Sequence, residues 1–309
     1  MELKKNQKIE VSNLDLYYSD FKALKNINIK IPQNEITAFI GPSGCGKSTL
    51  LKSLNRMNDL VEGCRIDGQV LLDGEDIYGK MDVNLLRKRV GMVFQKPNPF
   101  PMSIYDNIAY GPRTHGIRSK SKLDDIVEKS LRDAAIWEET KNRLKSNALG
   151  MSGGQQQRVL LTRALCATRK ILLLDEPVSG LDPVATADMY QIISELNKED
   201  HVTIIMISHD IGEVANYASH VLHIGHRLFF GTKEEYINAI KKLHENGIRV
   251  YADIVLNHKI GADESEIVYA SEEEQTNRNV DTSLPKKITA WTVYNFKGRN
   301  NKYSDFKWN

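Results

Sequence analysis

Short, largely apolar runs recur along the chain, each bounded by glycine or polar residues. Four of them have the length of a buried strand, and they occupy residues 36–40, 90–94, 171–174 and 202–207. Apolar runs of this length, separated by stretches with helical spacing, predict parallel strands covered on both faces. The hydrophobic pattern therefore predicts an α/β fold built on a parallel sheet.

A second pattern precedes the first buried run. Apolar residues alternate with polar ones over 9–18 and again over 24–31, which predicts two half-buried strands. Residues 70–72 followed by Asp73-Gly74 predict another strand and a hairpin turn. These strands are expected to form an antiparallel β layer beside the main sheet.

The stretch after the second buried run has a different character. Residues 96–103, KPNPFPMS, carry three prolines and predict an irregular crossover on the surface. Apolar positions over 123–137 have helical spacing, which predicts an amphipathic helix. We therefore expect residues from about 97 to 158 to form a helical subdomain inserted into the sheet domain.

The first candidate for chemistry lies between the run at 36–40 and the leucines at helical spacing that follow it. Its sequence is GPSGCGKST, a glycine-rich loop between a strand and a helix. Such a loop lets backbone N–H groups surround a phosphate, so the pattern predicts a nucleoside triphosphate site. Lys47 would reach the β- and γ-phosphates, and the Ser48 hydroxyl would contact Mg²⁺. The nucleotide-binding residues predicted here are Gly41, Pro42, Ser43, Gly44, Cys45, Gly46, Lys47, Ser48 and Thr49. The alternative is a glycine-rich turn before an ordinary helix.

Polar residues follow each of the other three buried runs. Gln95 follows the second, Asp175-Glu176 the third, and Ser208-His209 the fourth. Ligands of open α/β sheets bind at the carboxyl ends of the strands, so these side chains are expected to meet. Asp175 is the expected magnesium carboxylate and Glu176 the general base, while Gln95 would touch Mg²⁺ or water. His209 is a candidate contact for the γ-phosphate. The alternative for the two acids is a solvated strand end.

Two helix starts complete the motifs. Ser152-Gly153-Gly154-Gln155 precedes a strongly predicted helix at Gln156 to Ala167 and makes a second anion-facing N-terminus, although a plain N-cap explains Ser-Gly-Gly equally well. Asp182-Pro183 predicts another helix start, with Asp as the N-cap and Pro in the first turn.

Composition narrows the class of protein. The chain has 309 residues, 42 Lys and Arg against 40 Asp and Glu, and a net charge of +2, which gives no case for nucleic-acid binding. Its three cysteines form no CxxC pair, which is typical of a reducing compartment and argues against a zinc site. The start of the chain shows no signal peptide, and no apolar run approaches the length of a membrane span.

Taken together, these motifs resemble the ABC transporter ATPases, whose members carry them in the same order. The resemblance implies that Tyr18 stacks on the base of ATP, that Asp175 supports Mg²⁺, and that Glu176 and His209 are catalytic. It also implies a head-to-tail pair with a second copy of the ATPase. In that pair, Ser152 to Gln155 of one copy close on the ATP held by the loop of the other.

Within this family, residues 91–113 and the SGGQQQR segment resemble the ATP-binding subunits of bacterial phosphate importers. The resemblance implies that the protein binds two transmembrane permease subunits and, indirectly through them, works with a phosphate-binding protein. It also implies a peripheral position on the cytoplasmic face of the membrane. Ser179-Gly180 and Ser208-His209-Asp210 depart from that subfamily's usual sequence. The alternatives are an ABC ATPase for another solute, a soluble ABC ATPase and a carbohydrate-active protein that acts through the C-terminal part of the chain.

The resemblance ends near residue 230, which gives an ATP-binding domain at 1–230. Residues 231–309 resemble instead a fragment of an α-amylase (β/α)₈ barrel, with a barrel strand at 247–258 carrying Asp253, Asn257 and His258. The catalytic carboxylates of that family lie on later strands, so we expect this tail not to form a working domain. Residues 236–243 are expected to dock as a helix, and the polar stretch 261–287 is expected to be mobile.

Overall fold

The structure is a computed structural model. Its described residues are 7–167, 170–209, 214, 216–225 and 228–245, together with the backbone of strands at 264–270, 273–274, 277–281 and 286–293. The chain forms two compact units, Met1–Ile254 and Val255–Asn309.

The first unit is organised around a six-stranded sheet that contains the four predicted buried strands. Its strands are β3 (Ile36–Ile40), β6 (Val90–Val93), β7 (Ile171–Asp175), β8 (Thr203–Ile207), β9 (His220–Ile224) and β10 (Leu228–Thr232). The order is β10-β9-β3-β8-β7-β6, and every pairing is parallel except that of β10 with β9. All residues of β3, β7 and β8 are buried, because layers of structure cover both faces.

Alternate residues of these strands enter two different cores, since successive side chains point to opposite faces. Phe39, Leu173 and Ile205 pack with the smaller sheet and with the helix α1 (Lys47–Ser53). Ala38, Leu172 and Ile204 pack on the other face with the helices α6 (Gly153–Ala167) and α7 (Pro183–Lys198). Asp182 caps α7 by accepting hydrogen bonds from the backbone N–H groups of Val184 and Ala185, as its sequence predicted.

The predicted antiparallel layer is confirmed. It is a four-stranded sheet in the order β2-β1-β4-β5, formed by β1 (Gln7–Tyr18), β2 (Phe21–Pro32), β4 (Cys64–Leu72) and β5 (Glu75–Asp76). Asp73 and Gly74 both have positive φ values, 52° and 82°, as a tight turn with right-handed strand twist requires.

The stretch after β6 contains a helical cluster with its own small core. Its elements are α3 (Ile104–Thr114), α4 (Lys120–Asp133) and α5 (Trp137–Thr140), and α6 packs against α3 and α4. One expectation is corrected here, because the helix predicted at 123–137 already ends at Asp133. Ala135 has a φ of 49°, which lies in the left-handed region and breaks the helix before Trp137. The short helix α2 (Val83–Arg89) precedes β6.

A helix follows the closing hairpin of the main sheet. This helix, α8 (Lys233–Glu245), contains the stretch 236–243 for which helical docking was predicted. Tyr236 packs against the core that α6 and α7 share, and its ring lies 5.5 Å from that of Phe229. No helix among the described residues is long and apolar enough to span a bilayer.

The second unit contains two antiparallel strand pairs. β11 (Glu264–Ala270) pairs with β14 (Lys286–Val293), and β12 (Glu273–Glu274) pairs with β13 (Asn277–Asp281). The mobility expected for 261–287 stays a prediction. The barrel strand predicted at 247–258, with Asp253, Asn257 and His258, lies outside the described residues. The barrel-fragment interpretation therefore gains no support from the structure.

Candidate functional site

The topology of the main sheet brings the predicted site residues to one edge. The loop 41–46 follows β3, and the neighbouring strands β8, β7 and β6 end next to His209, Glu176 and Gln95. Because these four strands are parallel, their carboxyl ends point the same way. The sheet therefore assembles groups that are far apart in sequence.

The loop after β3 is held in a conformation that only glycine adopts readily. Gly41, Gly44 and Gly46 have φ values of 137°, 78° and 99°. A Cβ at Gly41 would lie 2.1 Å from the carbonyl oxygen of Ile224, so this position also has no room for a side chain. The loop thus stays a narrow backbone cradle that leads directly into α1.

Lys47 opens α1 and is 6% exposed. Its Nζ donates hydrogen bonds of 2.8 Å to the carbonyl oxygens of Gly41 and Pro42. The ammonium group therefore lies over the loop itself, beside the position that a bound phosphate would occupy. Cys45 lies partly buried in the same loop, and its Sγ is 3.9 Å from Lys47 Nζ.

Ser48 and Asp175 meet at the start of α1. The Ser48 hydroxyl donates to Asp175 Oδ1 at 2.8 Å, although the two residues are 127 positions apart in sequence. Burial raises the pKa of the Asp175 carboxyl, and the hydrogen bond from Ser48 partly offsets that rise. A hydroxyl next to a carboxylate is an oxygen ligand set suited to Mg²⁺. A divalent cation there would compensate the carboxylate charge that burial disfavours.

Glu176 is the centre of a second polar group. Its Oε2 accepts a hydrogen bond of 2.6 Å from Gln95 Nε2, and its Oε1 lies 2.7 Å from His209 Nε2. The backbone φ of Glu176 is 48°, a left-handed value that a glutamate adopts only when its surroundings fix it. Strain of this kind is typical of residues positioned for function. The carboxylate is thus held between an amide and an imidazole.

Tyr18 lies beside α1, and its stacking on the base of ATP stays a prediction. Its Oη is 3.4 Å from Thr49 Oγ1 and donates to Asn58 Oδ1 at 3.2 Å. Asn58 is 1% exposed and also donates to the Thr49 carbonyl oxygen and to Ser53 Oγ. Sequence analysis missed Asn58, because an isolated asparagine after a helix has no distinguishing pattern.

The segment from Ser152 to Gln155 begins α6. Ser152 Oγ accepts from the Gln155 N–H, and Gln155 Oε1 accepts from the Ser152 N–H, which is the reciprocal arrangement of a capping box. Gln155 is further fixed by its hydrogen bond to Glu139 Oε2 at 2.6 Å. In the part of the chain that the structure describes, no residue from Ser152 to Gln155 hydrogen-bonds to the loop after β3. Among these residues the two predicted halves of the site are therefore not joined by a hydrogen bond.

The loop after β3 and the groups at the start of α1 suit the two predicted ligands, a nucleoside triphosphate and Mg²⁺. A narrow backbone cradle with a buried lysine suits a triphosphate, and the Ser48–Asp175 pair suits the accompanying Mg²⁺. This chemistry agrees with the expectation drawn from the loop sequence alone.

Comparison with known proteins gives the same family. The family model described as "ABC transporter" matches residues 24–179. The chain is 61% identical over 206 residues to the phosphate import ATP-binding protein PstB 3 of Streptococcus pneumoniae serotype 4 (strain ATCC BAA-334 / TIGR4), and equally to that of strain ATCC BAA-255 / R6. Each alignment covers 66% of this chain and 82% of the relative.

A solved structure is also similar. It is that of cbiO1 from Clostridium perfringens, described as part of the ABC transporter complex cbiONQ. The sequence identity is 30% and the TM-score 0.66, and the superposition covers 78% of this chain and 95% of the other. The chain belongs to the ABC transporter family.

Proposed function

We propose that this protein hydrolyses ATP to drive the import of inorganic phosphate. The observation that carries the proposal is the 61% identity over 206 residues to phosphate import ATP-binding proteins, in a chain whose phosphate loop and strand-end residues converge. ATP is the nucleotide, and Mg²⁺, when bound, neutralises charge on its β- and γ-phosphates.

In this proposal the strand-end residues divide the chemistry between them. Lys47 binds the β- and γ-phosphates, and Ser48 and Asp175 hold Mg²⁺, with Gln95 close to it. Glu176 accepts the proton of the attacking water, since its carboxylate is fixed in place by Gln95 and His209. His209 lies beside Glu176 and contacts the γ-phosphate. Tyr18 stacks on the base.

A second copy of the chain completes the site. Within the chain, Ser152 is exposed and the capped start of α6 has no described contact with the loop after β3. A head-to-tail pair would place Ser152 to Gln155 of one copy on the γ-phosphate held by the other. Two N–H-rich segments would then enclose one triphosphate, and neither copy would hydrolyse ATP efficiently alone.

The membrane subunits would dock near the segment that follows Gln95. Tyr110 on α3 and Leu85 on α2 are large apolar side chains with exposures of 44% and 52%. A pocket of 340 Å³ lies close by, lined by Asn84, Arg87, Lys88, Thr114 and His115. Arg87 and Lys88 give this lining positive charge. Burial and, to a smaller extent, the charge of Lys88 lower the pKa of His115. This surface suits an apolar segment with an acidic residue, and it would hold the protein at the cytoplasmic face of the membrane.

Transport in proteoliposomes tests the proposal. The chain is purified with the membrane subunits that bind it, and radiolabelled phosphate or sulfate is offered together with the matching solute-binding protein. We expect ATP-dependent accumulation of phosphate and none of sulfate. Accumulation of a different solute would assign the protein to another importer. ATP hydrolysis without any associated membrane subunit would favour a soluble ABC ATPase.

A further inference from the structure

A buried glutamine joins α6 to the segment that carries Gln95. Gln157 is 2% exposed, and its Nε2 donates a hydrogen bond of 3.1 Å to the carbonyl oxygen of Phe94. Its Oε1 is buried and has no hydrogen-bond partner among the described residues. An uncompensated buried amide oxygen is unfavourable, so packing alone does not account for a glutamine here.

The hydrogen bond acts on the peptide unit that leads into Gln95. The carbonyl of Phe94 and the Cα of Gln95 belong to one planar peptide group, so fixing the carbonyl also fixes the direction from which Gln95 departs. The Gln95 amide then reaches Glu176 Oε2 at 2.6 Å. Two hydrogen bonds in series therefore connect α6 to the candidate catalytic carboxylate.

The same helix holds the far end of this segment. Arg163 lies on α6 six residues after Gln157, a rise of about 9 Å along the helix. Its guanidinium carbon is 4.4 Å from the centre of the Phe100 ring. Both ends of the segment 94–100 therefore contact the helix α6. The same helix begins at the capped segment from Ser152 to Gln155.

We propose that Gln157 is a positioning residue for hydrolysis. Through its hydrogen bond to Phe94, Gln157 makes the position of Gln95 against Glu176 depend on the position of α6. When Ser152 to Gln155, at the start of α6, bind the ATP held by the partner copy, Gln95 and Glu176 take up the catalytic arrangement. The proposal rests on the proposed function, since it assigns a role in that same ATPase reaction. Gln157 has no described contact with the loop after β3, so ATP binding itself should not depend on it.

The substitution Gln157→Met tests the proposal in the full-length chain, because Met has similar volume and no amide. We expect about a tenfold loss of kcat, equivalent to about 1.4 kcal/mol, with an unchanged KM for ATP. Thr162→Val is the matched control. Thr162 is fully buried on the same helix, and among the described residues its hydroxyl hydrogen-bonds only to the Arg158 carbonyl oxygen, so loss of the hydroxyl should leave kcat unchanged.

A double-mutant cycle separates positioning from a merely structural effect. If Gln157 acts through Gln95, Gln157→Met should lower kcat in the wild-type background and have no effect in the Gln95→Ala background. Equal fold losses in both backgrounds would overturn the proposal, as would wild-type kcat in a folded Gln157→Met protein. Gln157→Leu provides a second variant of similar volume if the first does not fold. A wild-type chain that hydrolyses no ATP would contradict the proposed function instead.

Discussion

The substitution Glu176→Gln is the sharpest test of the candidate active site. Glutamine has the shape of glutamate but cannot accept a proton from water. Its amide oxygen can still accept from Gln95, and its NH₂ can donate to His209 if that imidazole is neutral, so both neighbours keep a partner. The geometry of the site should therefore survive the change.

The expected loss of turnover follows from the unchanged geometry of the site. Because positioning is retained, the variant loses only proton transfer, which contributes ~10²-fold or more to turnover. That loss corresponds to roughly 2.7 kcal/mol of transition-state stabilisation. ATP binding should be close to that of the wild type, since Lys47 and Ser48 keep their contacts with the loop and with Asp175.

The assay measures phosphate release and nucleotide affinity on the same preparations. Glu195→Gln, an equivalent change on the exposed side of α7, is the control and should hydrolyse ATP at the wild-type rate. Lys47→Ala should behave differently from both, because it removes the proposed contact with the phosphates and should weaken ATP binding itself. A Glu176→Gln protein with near-normal turnover would refute the role of Glu176 as the general base.

Two further predictions concern stability. Burial raises the pKa of Asp175, so its contribution to stability is complete below the ordinary carboxyl pKa of 3.8 and is lost as pH rises through the raised value. Asp175→Asn keeps an acceptor for Ser48, and its free energy of unfolding in urea at pH 7 should exceed that of the wild type. The difference should vanish below pH 3.8, and Mg²⁺-dependent hydrolysis should be lost at pH 7. A variant that is less stable than the wild type at pH 7 would contradict this reasoning. Tyr236→Ala should lower the free energy of unfolding by about 2 kcal/mol, because half-buried aromatic contacts with Phe229 and the core are removed. Leu243→Ala on the more exposed side of α8 should cost less than about 0.5 kcal/mol, and equal losses would show that α8 does not pack as described.

Local sequence patterns determined much of this protein. The buried runs, the glycine-rich loop and the Asp182 cap each depend on neighbouring residues, so spacing and residue type were sufficient to predict them. The helix expected at 123–137 shows where such reasoning fails. Alanine has the highest intrinsic helix propensity, yet Ala135 lies in the left-handed region, where Arg158 of α6 donates a hydrogen bond to its carbonyl oxygen.

The arrangement of the site depended on the fold. The pairs Ser48–Asp175 and Gln95–Glu176 are separated by 127 and 81 residues, and no local pattern relates their members. They meet because the strands β3, β8, β7 and β6 lie side by side in one parallel sheet and end at the same edge. The sequence alone determined which residue types were available for phosphate chemistry. The order of the strands decided which of these side chains are in contact. That order is set by backbone pairing between segments that are far apart in sequence, so local patterns do not reveal it.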